Sequence, residues 1–354
     1  MIIGAHVDDM LLTGGDEDAI KQVKEQLKAR FEMKDLGEAD YLLGIRIQRH
    51  EDGAISIDQS VYARDIVGEY LDQKSSKCAT PMESDAVVNL CKGTGKELTD
   101  YQYKRFLELL GKLIWLCVTR SDIAMAVNKI ATFTASAGWD HWMALQRVLG
   151  YVSRTLKLGI WFGGKNHHAE GVEPIDYYNV DHGIEVHVGA AGPLDTMAFS
   201  DSDYAADPRD RKSLLGFILM VHGGVVLHYS KKMNSVARST AEAETVGMSE
   251  ALKQVIWLRR LIAILEGHQN ELATIPMLYG DNKGAVQGTH GSSNTSKIKH
   301  IDIAHHHIID EVKKGTIKTY WVPGEHMLAD GMTKPLPRDS FERNRTAIGI
   351  REVV

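Results

Sequence analysis

The 354-residue chain is 44% hydrophobic and 25% charged, proportions of a globular protein with material for more than one domain, which exclude a disordered or collagen-like chain. Three scattered cysteines exclude a disulfide scaffold, and the absence of a bilayer-length apolar run or a basic-then-apolar leader leads us to expect a soluble intracellular protein with no membrane partner. The net charge of −6 is concentrated, because residues 165–196 set one Lys against six Asp and Glu while 198–354 hold 20 Lys and Arg against 18 Asp and Glu, so a local basic face for nucleic acid stays open.

Residues 1–12, MIIGAHVDDMLL, read as two short apolar runs around a polar pair, a hairpin carrying Asp8 and Asp9 at its turn. Ile20, Val23, Leu27 and Phe31 then recur at helical spacing. YLLGIRIQRH and AISIDQS read as two strands turning at Asp52-Gly53, and VYARDIVGEYL as a short helix; together they make a small α+β unit. From Tyr101 to Leu158 long amphipathic helices take over. One stripe holds Phe106, Leu109, Leu110, Leu113, Ile114 and Cys117; another holds Trp142, Leu145, Val148, Leu149 and Val152. Trp115, Trp139, Trp142 and Trp161 fall on such stripes and read mostly as core rather than as base-stacking platforms.

Residues 164–196 lack a period and carry Gly-Gly, His-His and Pro signals, an exposed acidic insertion or linker. Beyond them come the strands MAFSDSD, LLGFILMV and VVLHYSKK and a helix over about 240–264. The strand PMLYGD, a polar helical stretch, a helix near 300–313, the strand TIKTYWV and a short helix at about 328–334 follow. The order β-β-β-α-β-α-α-β-α predicts a mixed sheet with helices packed on it. Residues 338–354 read as a tail.

Four carboxylates of this half stand where chemistry would want them. Asp201 and Asp281 end apolar strands, and Asp330 opens the last short helix, although each alone reads first as a strand terminator or helix cap. Glu244 is more telling. Ala241, Glu244, Met248, Leu252 and Val255 share the buried stripe of their helix, whereas Glu242 aligns with Ser249 and Lys253 on the wet face. A carboxylate on a core-facing stripe needs a cation or a hydrogen-bond partner, and oxygen-only ligands without a cysteine cluster suit magnesium or manganese. Two such ions would relieve the repulsion of grouped carboxylates and suit phosphodiester cleavage.

SDSDYAADPRDRKSLLGF, SKKMNSVARSTAEAE, YGDNKGAV, KIKHIDIAHHHI and VPGEHMLADGMTKPL resemble the ribonuclease H domain of copia-type retrotransposon polyproteins. HVDDMLLTG, DLGEADYLLGIRI, QSVYARDI, ATPM and TRSDIAMAVN resemble the end of the same family's reverse transcriptase. The resemblance implies an α/β, ribonuclease H-like mixed sheet flanked by helices over 197–337. Ahead of it would lie a truncated α+β polymerase palm (1–78), a helical thumb or connection region (79–163) and the 164–196 insertion. By the same resemblance Asp201, Glu244, Asp281 and Asp330 are the metal-binding catalytic carboxylates, holding two Mg2+ or Mn2+ ions, and Asp8 and Asp9 are the palm's metal pair. The implied reaction is hydrolysis of the RNA strand of an RNA–DNA hybrid, read through its 2′-hydroxyls and duplex shape. The implied location is the cytoplasmic virus-like particle and the nucleus.

The palm's third Asp, its fingers and its template face would belong to N-terminal polymerase segments that this chain lacks, and His6 replaces the family's Tyr, so no DNA synthesis is expected. Thr245 and Tyr204 also depart from the family pattern, in place of an aromatic and a Trp. The alternative to an enzyme is a non-catalytic relic that folds and at most binds nucleic acid; a related nuclease or integrase fits the motif order less well. Among lesser signals, His305, His306 and His307 read as a polar helix face, since consecutive positions cannot all face one ion. His300 is a structural or substrate-side residue. His326 reads first as a plain loop histidine, with proton transfer or product release as the alternative. Lys231, Lys232 and Arg238 fit phosphate contacts or a solvated loop equally, and Asn282 reads as a helix cap ahead of a substrate contact.

Overall fold

The structure, a computed structural model, describes residues 1–72, 78–93, 95–163, 196–265, 275–290 and 302–353. The acidic stretch expected over 164–196, up to residue 195, and His300 lie outside the described residues.

The chain opens with the expected hairpin, β1 (Ile2–His6) against β2 (Asp9–Thr13), which together form a separate two-stranded sheet. The helix α1 (Glu17–Arg30) follows, started by Asp16, whose carboxylate accepts from the Ala19 amide at 2.9 Å. None of its residues is buried. YLLGIRIQRH, expected as one strand, is two: β3 (Tyr41–Leu42) and β4 (Ile45–Arg49) turn at Leu43-Gly44, both at positive φ. β5 (Ile55–Asp58) and α2 (Ser60–Tyr70) complete this part.

Helices α3 (Ala86–Lys92), α4 (Asp100–Leu116), α5 (Ala124–Ala131) and α6 (Trp139–Arg154) come next, then the strand β6 (Leu158–Phe162). A Thr99–Gln102 capping box starts α4. Phe106, Leu109 and Leu113 on its inner face are sealed from solvent, each such burial stabilising by roughly 1.5–3 kcal/mol. Ile114, expected on that stripe, is exposed instead, about one position beyond the width of the buried face. The tryptophans differ too. Trp115 is exposed, and Trp139, Trp142 and Trp161 are half-buried at the rim, where the indole keeps one face for a polar neighbour. Trp139 carries the Lys96 ammonium 4.2 Å from its ring centre, and Trp161 stacks on His50 at 4.1 Å.

The second half supplies β7 (Thr196–Asp203), β8 (Leu214–Val221), β9 (Gly224–Lys232), α7 (Thr240–Leu265), β10 (Met277–Gly280), α8 (Lys283–Thr289), α9 (Asp302–Lys313), β11 (Lys318–Trp321), α10 (Asp330–Thr333), α11 (Arg338–Ala347) and β12 (Ile350–Glu352). Five strands form one mixed sheet in the order β11-β10-β7-β8-β9, antiparallel from β7 to β9 and parallel from β7 to β11. This is the ribonuclease H-like α/β arrangement that the resemblance implied. Side-chain alternation sorts its two faces. Ala198, Phe217, Leu219 and Leu278 pack with Met248, Leu252 and Val255 of α7. Phe199, Ile218, Met220, Tyr279 and Tyr320 join the core of α4, α5 and α6 on the other side. The sheet is therefore covered on both faces, and one core runs from the first helices into the last.

The segment expected as a tail is built into the fold. β12 pairs antiparallel with β6 and completes a second five-stranded sheet, β12-β6-β5-β4-β3, while Phe341 of α11 packs edge-on against Tyr151. Three expectations within helices also change. Ala241, placed on the buried stripe, is exposed in the first turn of α7; Ser249, assigned to its wet face, is buried; and His305 of the histidine run is buried while His306 is exposed.

Candidate catalytic carboxylate site

Asp201 lies near the end of β7, directly across from Gly216 of β8. A side chain at Gly216 would strike Thr333, Ala329 and Met332 at 2.6–2.9 Å, so its absence is what lets α10 lie against the sheet beside Asp201. Asp281 follows β10 immediately, and its carbonyl accepts from the Trp321 indole N–H at 2.8 Å. The Lys283 ammonium covers the same indole at 4.3 Å. Asp330 opens α10. Three separate elements thus bring Asp201, Asp281 and Asp330 together, with one oxygen of each within 4.8 Å of the others.

The charge gathered here is under strain. Burial, and then Asp201, push Asp330 up to about 7 and raise Asp281 as well. Two donors from consecutive residues hold the cluster: the Thr333 hydroxyl donates to Asp201 Oδ2, and Lys334 Nζ sits 2.9 Å from Asp330 Oδ1. Asp203, two positions after Asp201 on the same strand face, is half-buried and raised by burial and by Asp201. The sequence reading missed Asp203, Thr333, Lys334 and Trp321. The i, i+2 spacing in β7 and the i, i+4 spacing from Asp330 to Lys334 were the available signals.

Glu244 is buried, as its place on the stripe required, and lies outside the 4.8 Å trio while still feeling the charges of Asp201 and Asp281. It comes from α7, on the opposite face of the sheet, and its Oε1 accepts from the Ser202 backbone N–H at 3.3 Å. Burial, then Asp201 and Asp281, push it up to about 9, so a proton stays on it near neutral pH.

The remaining candidates scatter. Asn282 caps α8, accepting from the Ala285 amide at 3.0 Å, as expected. Lys231 and Arg238 are exposed, but Lys232 lies 2.7 Å from Asp207 and 2.8 Å from Asp210, inside a cluster with Arg209 and Lys129. Its charge is engaged within the protein. His326 is half-buried in a single 3-10 turn with Nε2 3.4 Å from Glu325; burial, then Arg343, lower its pKa. Asp8 and Asp9 are exposed at the β1–β2 turn, where Val7 sits at φ 50°, and no third metal-ligating group joins them among the described residues.

A family profile described as reverse transcriptase (RNA-dependent DNA polymerase) matches residues 1–84. The chain is 31% identical over 98% of its length to the retrovirus-related Pol polyprotein from transposon RE2 of Arabidopsis thaliana, and 28% identical over 99% to that from transposon TNT 1-94 of Nicotiana tabacum. The chain belongs to the copia-type Pol family. It spans 24% and 22% of those two polyproteins, the TNT 1-94 and RE2 relatives respectively. Among solved structures, an RNase H domain from Mycobacterium tuberculosis and a compost-derived RNase H1 are matched over 98% and 97% of their chains and 44% and 42% of this one. Identities of 14% and 11% with TM-scores of 0.28 and 0.31 leave the strand order, not these matches, to define the fold of this Pol segment.

Proposed function

We propose that this copia-type Pol segment hydrolyses the RNA strand of RNA–DNA hybrids at the Asp201, Asp281 and Asp330 cluster. The observation that carries the reading is their convergence from three elements into one group, Asp201 buried and Asp281 and Asp330 half-buried, with Lys334 against it. An all-oxygen, excess-negative donor set fits hard divalent cations. Asp201, Asp281 and Asp330 would hold Mg2+ or Mn2+, two ions per site, which supply an activated water and neutralise phosphodiester charge when bound.

The chain's own residues prepare that site. Thr333 fixes the Asp201 carboxylate, Trp321 fixes the backbone at Asp281, and Gly216 admits α10. Glu244 keeps its proton in the metal-free site, so cation entry and proton release are linked there. Exposed Lys231, near the end of β9, and Arg238, on the segment leading into α7, suit phosphate contacts along a duplex. DNA synthesis forms no part of the proposal, since Asp8 and Asp9 gather no further ligand among the described residues.

The place of Glu244 outside the 4.8 Å trio favours a second reading, a folded relic that binds nucleic acid without cutting it. A labelled RNA–DNA hybrid separates the two. Magnesium-dependent RNA-strand cleavage that disappears in Asp201→Asn supports the enzyme; folded wild-type protein that leaves the hybrid intact with either metal supports the relic.

A further inference from the structure

Lys334 has no assigned part in the site, yet its backbone and its charge are both committed to it. It caps the C-terminus of α10 with extended φ −141° and ψ 152°, the conformation forced on a residue that precedes proline, here Pro335. From that fixed position the side chain turns back one helical turn, and Nζ reaches Asp330 Oδ1 at 2.9 Å. The ammonium also acts electrostatically on Asp201, Asp281 and Asp203, the last of which feels Lys129 as well. Its side chain stays 46% exposed while that of Asp330 is 15% exposed, so the lysine can leave for solvent and the carboxylate cannot.

We propose that Lys334 is a built-in counter-ion of the carboxylate cluster, holding Asp330 in place in the metal-free protein and yielding its place to a divalent cation. The inference rests on the proposed reading of the cluster as a metal site. Lys334 is a positioning residue. Its ammonium offsets like-charge repulsion among Asp330, Asp201 and Asp281 until a doubly charged ion does so better, and it opposes the ion's entry meanwhile.

The test is Mg2+ and Mn2+ binding by calorimetry to the full chain, comparing wild type, Lys334→Met, Lys334→Arg and Asp330→Asn. Removing the ammonium tightens divalent binding by about fivefold, the scale of a partly exposed ion pair, and the charge-retaining Lys334→Arg stays at the wild-type affinity. A merely structural lysine gives the reverse, since damage to the site weakens binding. Unchanged or weaker binding to Lys334→Met, with wild type binding normally and Asp330→Asn not at all, overturns the counter-ion role alone. Wild type that binds neither ion overturns the metal-site reading and the counter-ion role with it. Should Lys334→Met fail to fold, Lys334→Gln read in the same titration decides on the same criterion.

Discussion

Two parts of this chain carry candidate metal-binding aspartates that differ in how the structure brings them together. Asp8 and Asp9 are neighbours by chain connectivity alone, held at the tip of a hairpin that pairs with nothing else among the described residues and leaves both carboxylates in water. Asp201, Asp281 and Asp330 are separated by up to 129 positions, yet three elements press them together in a half-buried setting. Adjacent acids in solvent repel weakly and cost little. Acids forced together by packing carry a charge that the fold must offset, and that unrelieved charge is what marks a site prepared for a cation.

The largest effect that would break this contrast is in catalysis. Asp201→Asn lowers hybrid cleavage by at least about a hundredfold, while Asp8→Asn with Asp9→Asn leaves it within twofold; gel analysis of a labelled hybrid reads both. Next is packing. Gly216→Ala places a methyl into Thr333, Ala329 and Met332, and the displaced α10 costs about 1–3 kcal/mol in chemical denaturation. The same substitution lowers cleavage, because Asp330 moves with its helix.

A smaller effect concerns pH. Glu244, near 9 in the fold against an ordinary 4.5, and Asp330, near 7 against 3.8, both bind protons more tightly folded than unfolded. Their contribution to stability is therefore full below their unfolded values and is lost as pH rises through the folded ones. Metal-free protein becomes less stable from pH 5 to pH 9, by at most about 1.4 kcal/mol per pH unit for each such group. Glu244→Gln flattens that slope in thermal melts taken in chelator, and an unchanged slope would show that Glu244 is already ionised. The smallest effect is a magnesium-induced rise in melting temperature of a few degrees, from mass-action binding. It survives Asp8→Asn with Asp9→Asn and is lost in Asp330→Asn.

Much of this was legible from residues alone. Strand alternation and the helical stripe placed Asp201, Asp281, Asp330 and a buried Glu244, because period 2 and period 3.6 are local properties of a chain. What the periods could not show was which face of the sheet each element would cover. α7 takes the face opposite α10, so Glu244, correctly read as buried, reaches the site from the far face, bonded to the Ser202 amide and outside the 4.8 Å trio. Lys334 was passed over for a related reason, since a lysine beside a proline reads as solvated loop until its helix is docked. The pairing of β12 with β6 was invisible too. Residues 350–352 are too few to carry a pattern, and their partners lie some 190 positions earlier.

That last pairing has a consequence for how the chain comes into being. A ribosome delivers β3, β4, β5 and β6 long before β12, and the whole β11-β10-β7-β8-β9 sheet is synthesised in between. Throughout that interval β6 presents an open row of amides and carbonyls to whatever strand is near, including one on a neighbouring nascent chain. Translation that stops anywhere before Ile350 leaves this edge bare, so prematurely terminated products of this segment are the species expected to aggregate.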